Sequence, residues 1–294
     1  MNIAHWLQVS LEVPESALEA VSAACEEAGA LAVTVEDAAD DPVYEPLPGE
    51  IRTWPHNRVS ALFPAGYDPA PLRVALAGLL GGQVTGWRVT ALADRDWERV
   101  WLDDFRPLRF GRRLWVCPTD RPPPDPTAVN LRLDPGLAFG TGTHPTTALC
   151  LEWLDGHAPP ATLLDYGCGS GILAIAGLLL GARSAWAVDL DPQALTATGN
   201  NAAANGVAGR LQLGLPEALP VDLRCDLLLA NILAGPLVAL APALAARLAP
   251  GGALVLSGIL PQQAATVAAA YRPWCGELER CQRDGWVRLD GRRL

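Results

Sequence analysis

Apolar and polar positions divide the chain into regions of different rhythm. Over the first hundred residues, short alternating runs at Trp6 to Val13, Ala30 to Val35, Arg58 to Phe63 and Val84 to Ala91 read as strands. Helical spacing fills Glu15 to Ala28 and Pro69 to Leu80, the second stopped by Gly81-Gly82. The order βαββαβ predicts a small ferredoxin-like α+β domain over residues 1–93. Asp96 to Phe105 places Trp97, Trp101 and Phe105 on one helical face, which predicts a helical connector over residues 94–106.

The remainder, residues 107–294, reads differently. Short strands at Arg113 to Cys117 and Ala128 to Leu133 flank the proline-rich loop Arg121 to Pro126. Longer apolar runs then alternate with helices: Thr162 to Asp165, Ile172 to Leu180, Ala185 to Asp189, Pro192 to Asn205, Cys225 to Ala230, Pro236 to Leu248 and Ala253 to Ser257. Strands without polar alternation are buried on both faces, so a parallel, doubly wound α/β sheet is expected. Gly276 to Gln282 and Trp286 to Leu289, joined by Arg283-Asp284-Gly285, read as a terminal antiparallel hairpin.

The richest stretch is Leu163-Leu-Asp-Tyr-Gly-Cys-Gly-Ser-Gly-Ile-Leu173, where an apolar strand breaks into three alternating glycines. Without Cβ atoms, Gly167, Gly169 and Gly171 allow positive φ and a close approach of backbone to ligand. A dinucleotide fingerprint needs a third small residue where Ile172 stands, so a pyrophosphate site is disfavoured. What remains, Asp165 followed by G-x-G-x-G, resembles the S-adenosylmethionine site of class I methyltransferases. Asp189, at the end of the next strand, is placed to hold both ribose hydroxyls.

Composition narrows the function classes. No apolar run is long enough to span a membrane, and the start of the chain lacks a signal-peptide pattern, so a cytoplasmic protein is expected. Seven scattered cysteines with no C-x-x-C pair suggest reduced thiols and no metal site. Residues 1–106 hold seventeen acids against seven arginines, a net charge of −10, while residues 107–294 hold fifteen of each. The densest part, Glu36 to Glu50, has six acids and no base. Such a surface repels a phosphate backbone and attracts a basic partner, so direct nucleic-acid binding is not expected.

Further candidates fall at strand ends, where open α/β sheets bind ligands. Asn231 closes the apolar run Leu227 to Ala230 with an amide that can both donate and accept. Thr146 stands before a helix predicted over Thr147 to Leu154 and can cap it. His144 beside it can act as a base or as a structural hydrogen-bonder. Leu213 to Glu217 can border the adenine.

Four segments, Gly136 to Thr147, Asp165 to Leu173, Ala230 to Leu237 and Leu256 to Leu260, together resemble the family that methylates protein eleven of the large ribosomal subunit. The resemblance spans essentially the whole chain and is strongest from Trp97 to Leu260. It implies a class I methyltransferase (Rossmann-like) sheet ending in a reversed strand, with S-adenosylmethionine bound by Thr146, Gly167, Gly169, Asp189 and Asn231. It also implies that Asn231 borders the transfer site and positions the amine. The expected substrate is the basic ribosomal protein, gripped by the acidic N-terminal domain and methylated on lysines and its N-terminal amine, to the trimethyl state. Another protein or RNA target within the same fold is the alternative. The Asn-Pro-Pro-Tyr motif of other amide and amine methyltransferases is absent, which disfavours a glutamine acceptor.

Overall fold

The computed structural model describes residues 4–39, 54–82, 84–93, 106–133 and 143–294. The predicted connector helix, most of the acidic run and the loop over residues 134–142 lie outside the described residues. Backbone contacts divide the chain into two compact units, Met1–Trp97 and Glu98–Leu294.

In the first unit, β1 (Ala4–Pro14), α1 (Leu18–Glu27), β2 (Ala32–Asp37), β3 (His56–Pro64), α2 (Ala70–Leu79) and β4 (Thr85–Ala93) follow in chain order. The strands form one sheet ordered β2-β3-β1-β4 with every neighbouring pair antiparallel. Alternate residues Val9, Leu11 and Val13 of β1 and Val59, Ala61 and Phe63 of β3 pack on Val21 and Cys25 of α1 and Leu72 and Leu76 of α2. Period two on the strands and a four-residue step on each helix thus meet in one core. On the sheet's other face Glu12 and Arg58, opposite each other in register, pair at 3.2 Å.

The second unit opens with a three-stranded sheet, β5 (Leu108–Phe110), β6 (Leu114–Pro118) and β7 (Val129–Leu133). Its remaining elements are α3 (Pro145–Gly156), β8 (Thr162–Tyr166), α4 (Ile172–Leu180), β9 (Ser184–Val188), α5 (Pro192–Ala204), β10 (Leu211–Gly214), β11 (Cys225–Asn231), α6 (Ala234–Arg247), β12 (Leu248–Ile259), α7 (Ala264–Cys275), β13 (Glu279–Arg283) and β14 (Trp286–Arg292). Seven strands form a sheet ordered β10-β9-β8-β11-β12-β14-β13. Strands β8 to β12 run parallel, whereas β14 pairs antiparallel with both β12 and β13.

Burial on both faces is written in the strands. Leu163, Leu227, Leu229 and Val255 join the cluster that holds Ala174 and Ile175 of α4, while Leu164, Leu228, Ala230 and Leu256 join Leu237, Leu244, Val267 and Tyr271 of α6 and α7. Neighbouring residues point to opposite faces, and helices cover both. The glycine-to-apolar transition places α4 at the bounds the structure gives it. Among the described residues, the sequence pattern missed the three-residue β5 and also α7, whose buried stripe Ala264, Val267, Tyr271 and Cys275 is hidden in an alanine-rich run with Pro273 inside its last turn. Chain order reverses between β8 and β11, which opens a crevice at their carboxyl ends.

Candidate active site

The glycine turn forms one side of that crevice. Gly167, Gly169 and Gly171 all have positive φ, at 79°, 54° and 77°. Gly167 N and Cys168 N donate to Val188 O at 2.8 and 3.0 Å, which ties the turn to β9. A Cβ at Gly167 would run into Ile232 Cγ2, so only glycine fits there. Asp189 Oδ2 accepts from Gly169 N at 2.9 Å, and its Oδ1 accepts from Asp191 N at 3.0 Å. The carboxylate is therefore oriented by the turn it serves.

Behind the turn lies Asp165, 1 % exposed. Its Oδ2 accepts from Ala174 N at 3.0 Å in the first turn of α4, while Oδ1 has no hydrogen-bond partner among the described residues. Burial pushes its carboxyl up to about 7, with Asp189 adding a like charge and the Ala174 N–H opposing both. The folded value exceeds the unfolded one of about 3.9, so the neutral form favours folding. That stability is fully present below about pH 3.9 and is lost as pH rises through about 7. Asp165→Asn should remove this slope: in urea titrations at pH 5 and pH 8, wild type is expected to lose up to about 3 kcal/mol more than the variant. Equal losses would show that Asp165 does not titrate in this range.

Opposite the turn, Asn231 ends β11, and its Nδ2 donates to Thr147 Oγ1 at 3.2 Å. That contact uses a donor and leaves the carbonyl Oδ1 as the amide's remaining acceptor. Thr146 and Thr147 are both buried in the first turn of α3, where Thr146 O accepts from Ser257 Oγ at 3.1 Å. The structure corrects the capping expectation. Helix α3 starts at Pro145, so Thr146 lies inside it and His144 is the N-cap residue, its Nδ1 accepting from Thr146 N at 3.4 Å and lying 2.7 Å from Thr146 Oγ1. Proline at the first helical position moved the start two residues ahead of the expected one. Burial holds the His144 imidazole below its ordinary value.

Thr146, Gly167, Gly169, Asp189 and Asn231 all line one cavity of about 650 Å³. Pro216 and Glu217 line it too, as their strand-end position suggested, but Leu213 does not. Tyr166, Ile232, Leu240, Gly258 and Trp286 are among the other lining residues and had not been expected. Tyr166 could have been found as the residue before the first glycine. Gly258 and Trp286 could not, because their places depend on how β14 pairs with β12.

These surroundings fit S-adenosylmethionine. Glycines without Cβ let the ligand approach the backbone, and Asp189 can accept from a ribose. The buried Asp165 Oδ1, without a hydrogen-bond partner among the described residues, lies behind the turn, and the apolar wall suits an adenine. Among the described residues no cluster of His, Cys, Asp and Glu could hold a metal ion. A doubly wound sheet with this glycine turn, strand-end acid and ligand-sized cavity defines a class I S-adenosylmethionine-dependent methyltransferase.

The family model described as ribosomal protein L11 methyltransferase (PrmA) matches residues 5–294. A protein of that name from Actinobacillus succinogenes is 52% identical over 291 residues, covering 98% of this chain and 99% of the relative. Another from Pseudomonas aeruginosa is 52% identical over 290 residues, covering 98% of each. Among solved structures, the ribosomal protein L11 methylase of Lactobacillus delbrueckii subsp. bulgaricus superposes with a TM-score of 0.58 at 34% identity, over 65% of this chain and 100% of that one. The chain belongs to the ribosomal protein L11 methyltransferase family.

Proposed function

We propose that this enzyme transfers methyl groups from S-adenosylmethionine to lysine side chains and the N-terminal amine of ribosomal protein L11, to the trimethyl state. Kinship along the whole length, at about half identity with relatives of that name, is the observation that carries the substrate. The site supports the chemistry. When bound, S-adenosylmethionine supplies a methyl group on a sulfonium that an amine can take by in-line displacement.

Each residue then has a part. Asp189 holds the ribose, and Gly167 and Gly169 admit the ligand's tail to the backbone. Thr146 closes the floor near it, and Asn231 Oδ1 accepts from the incoming amine and fixes its lone pair toward the methyl carbon. Rate comes from alignment, with the reacting atoms about 3–3.5 Å apart. A lysine of pKa about 10.4 must also give up a proton near pH 7, a cost of roughly 4–5 kcal/mol. Desolvation in the cavity lowers that cost, and the neighbouring positive charge lowers it further.

In the same reading, the N-terminal unit is a ferredoxin-like domain over residues 1–93 that grips the basic substrate with its negative charge, and residues 94–106 connect it to the catalytic domain. The antiparallel β14 is the reversed strand that closes this class of sheet. The enzyme works in the cytoplasm, where ribosomal proteins are made, and engages its protein substrate without binding nucleic acid directly. No helix among the described residues is long and apolar enough to cross a membrane. The test is transfer of radiolabelled methyl to total ribosomal protein and RNA from cells that lack the enzyme. Label confined to one small basic protein is expected, and label on RNA would overturn the substrate assignment.

A further inference from the structure

The cavity has two chemically distinct ends. Asp189 and Glu217 follow β9 and β10, on one side of the switch point, while Asn231 and Gly258 lie at β11 and β12 on the other. Trp286 opens β14, whose antiparallel course brings its first residues to the carboxyl end of β12, with Val287 opposite Ile259. The indole is thus on the amine side of the cavity, remote in sheet order from the ribose side.

Its ring is braced. The centroid of the His144 imidazole lies 4.9 Å from that of Trp286 at an interplanar angle of 67°, an edge-on contact. His144 Nδ1 is in turn 2.7 Å from Thr146 Oγ1, and Thr147, next in the same helical turn, holds Asn231. One short relay of contacts therefore sets both the indole and the amide that meets the amine. Burial lowers the His144 value, so the site disfavours a cationic ring there.

Resting on the amine-methylating function proposed above, we propose that Trp286 is the specificity-determining wall that receives the substrate nitrogen and carries the reaction past its first methyl group. In each round the nitrogen lone pair forms the new N–C bond as the S–C bond breaks, and positive charge moves from sulfur to nitrogen. The new ammonium must lose a proton to water before the next round, until a third methyl leaves none to lose. Every round also removes one N–H, so the hydrogen bond to Asn231 Oδ1 becomes less available just as the nitrogen becomes more apolar. An aromatic face suffers no such loss. It attracts the developing cation through its quadrupole and contacts methyl groups in any orientation. Such an interaction is stronger when the charge has reached nitrogen than before, which is what speeds a step.

The test uses full-length enzyme, purified L11 and S-adenosylmethionine, with the methylation states of each modified amine resolved by mass spectrometry over time. Trp286→Leu is expected to lower the ratio of the highest methylation state to monomethyl product by about tenfold at matched total transfer. Trp286→Phe, which keeps an aromatic face, is expected to recover most of that ratio. Loss of packing alone would slow all steps in proportion and leave the ratio unchanged. Wild-type proportions in the Trp286→Leu products, or equal ratios for the Leu and Phe variants, would overturn the proposal. If wild-type enzyme methylated no amine at all, the functional reading itself would fail.

Discussion

Asn231→Ala is expected to lower methyl transfer at saturating S-adenosylmethionine by about a hundredfold, the scale on which misplacing a reactant acts. The substitution removes the Oδ1 acceptor and releases Thr147, so the amine loses the group that aims its lone pair. Asp189→Ala should behave differently. It deletes the carboxylate proposed to hold the ribose, together with the contacts to Gly169 N and Asp191 N. Hydrogen bonds to a charged acceptor contribute about 1.5–3 kcal/mol each, so cofactor affinity should fall at least tenfold. Much of the rate should return when cofactor is raised to saturation. Steady-state kinetics with both substrates varied, alongside calorimetric cofactor binding, separates the two variants. Equal residual rates at saturation would refute separate roles for the two ends of the cavity.

Gly258→Ala is expected to be damaging out of proportion to one methyl group. Gly258 has φ +84°, and it falls where the pairing of β12 with β14 slips between Leu256 and Ile259, the mark of a bulge. A Cβ there would run into the backbone carbonyl of Ile232, the residue after Asn231. Neither partner is the free end of a side chain, so β12 and the backbone just after β11 must part. Left-handed backbone alone costs an alanine about 1–2 kcal/mol. With the clash added, a loss of roughly 2–4 kcal/mol in urea unfolding is expected, and methyl transfer should fall more than tenfold because Asn231 moves with Ile232. Gly206→Ala is a useful contrast: its φ is +68° but no atom lies within 4 Å of the added Cβ, so only the backbone cost applies. Equal behaviour of the two variants would show that contact with Ile232 does not set the geometry of the site.

How much of this was legible in the sequence depends on the range of the contacts involved. The turn at Gly167, Gly169 and Gly171 could be read directly, because its conformation is local and only glycine satisfies it. Asp189 and Asn231 could be placed because each ends an apolar run, and a parallel strand delivers its last residue to the ligand crevice. Trp286 could not be placed that way. Its position follows from a hairpin folding back antiparallel on β12, and its bracing by His144 joins residues more than a hundred positions apart. His144 itself was a candidate whose role the sequence left open, and the structure gives the role of N-cap to it and not to Thr146. Gly258 reads in sequence as an ordinary glycine just after the strand expected over Ala253 to Ser257, and only the register slip gives it meaning.

The chemical identity of the acceptor decides whether this enzyme is an amine methyltransferase. Purified L11 incubated with the enzyme and S-adenosylmethionine, then digested and mapped by tandem mass spectrometry, identifies every atom that has gained a methyl group. Methylation on lysine nitrogens and the N-terminal amine, slowed together about a hundredfold by Asn231→Ala, is the expected result. Methyl groups on glutamine, on carboxylates, or on amines at an undiminished level in the Asn231→Ala variant would contradict it.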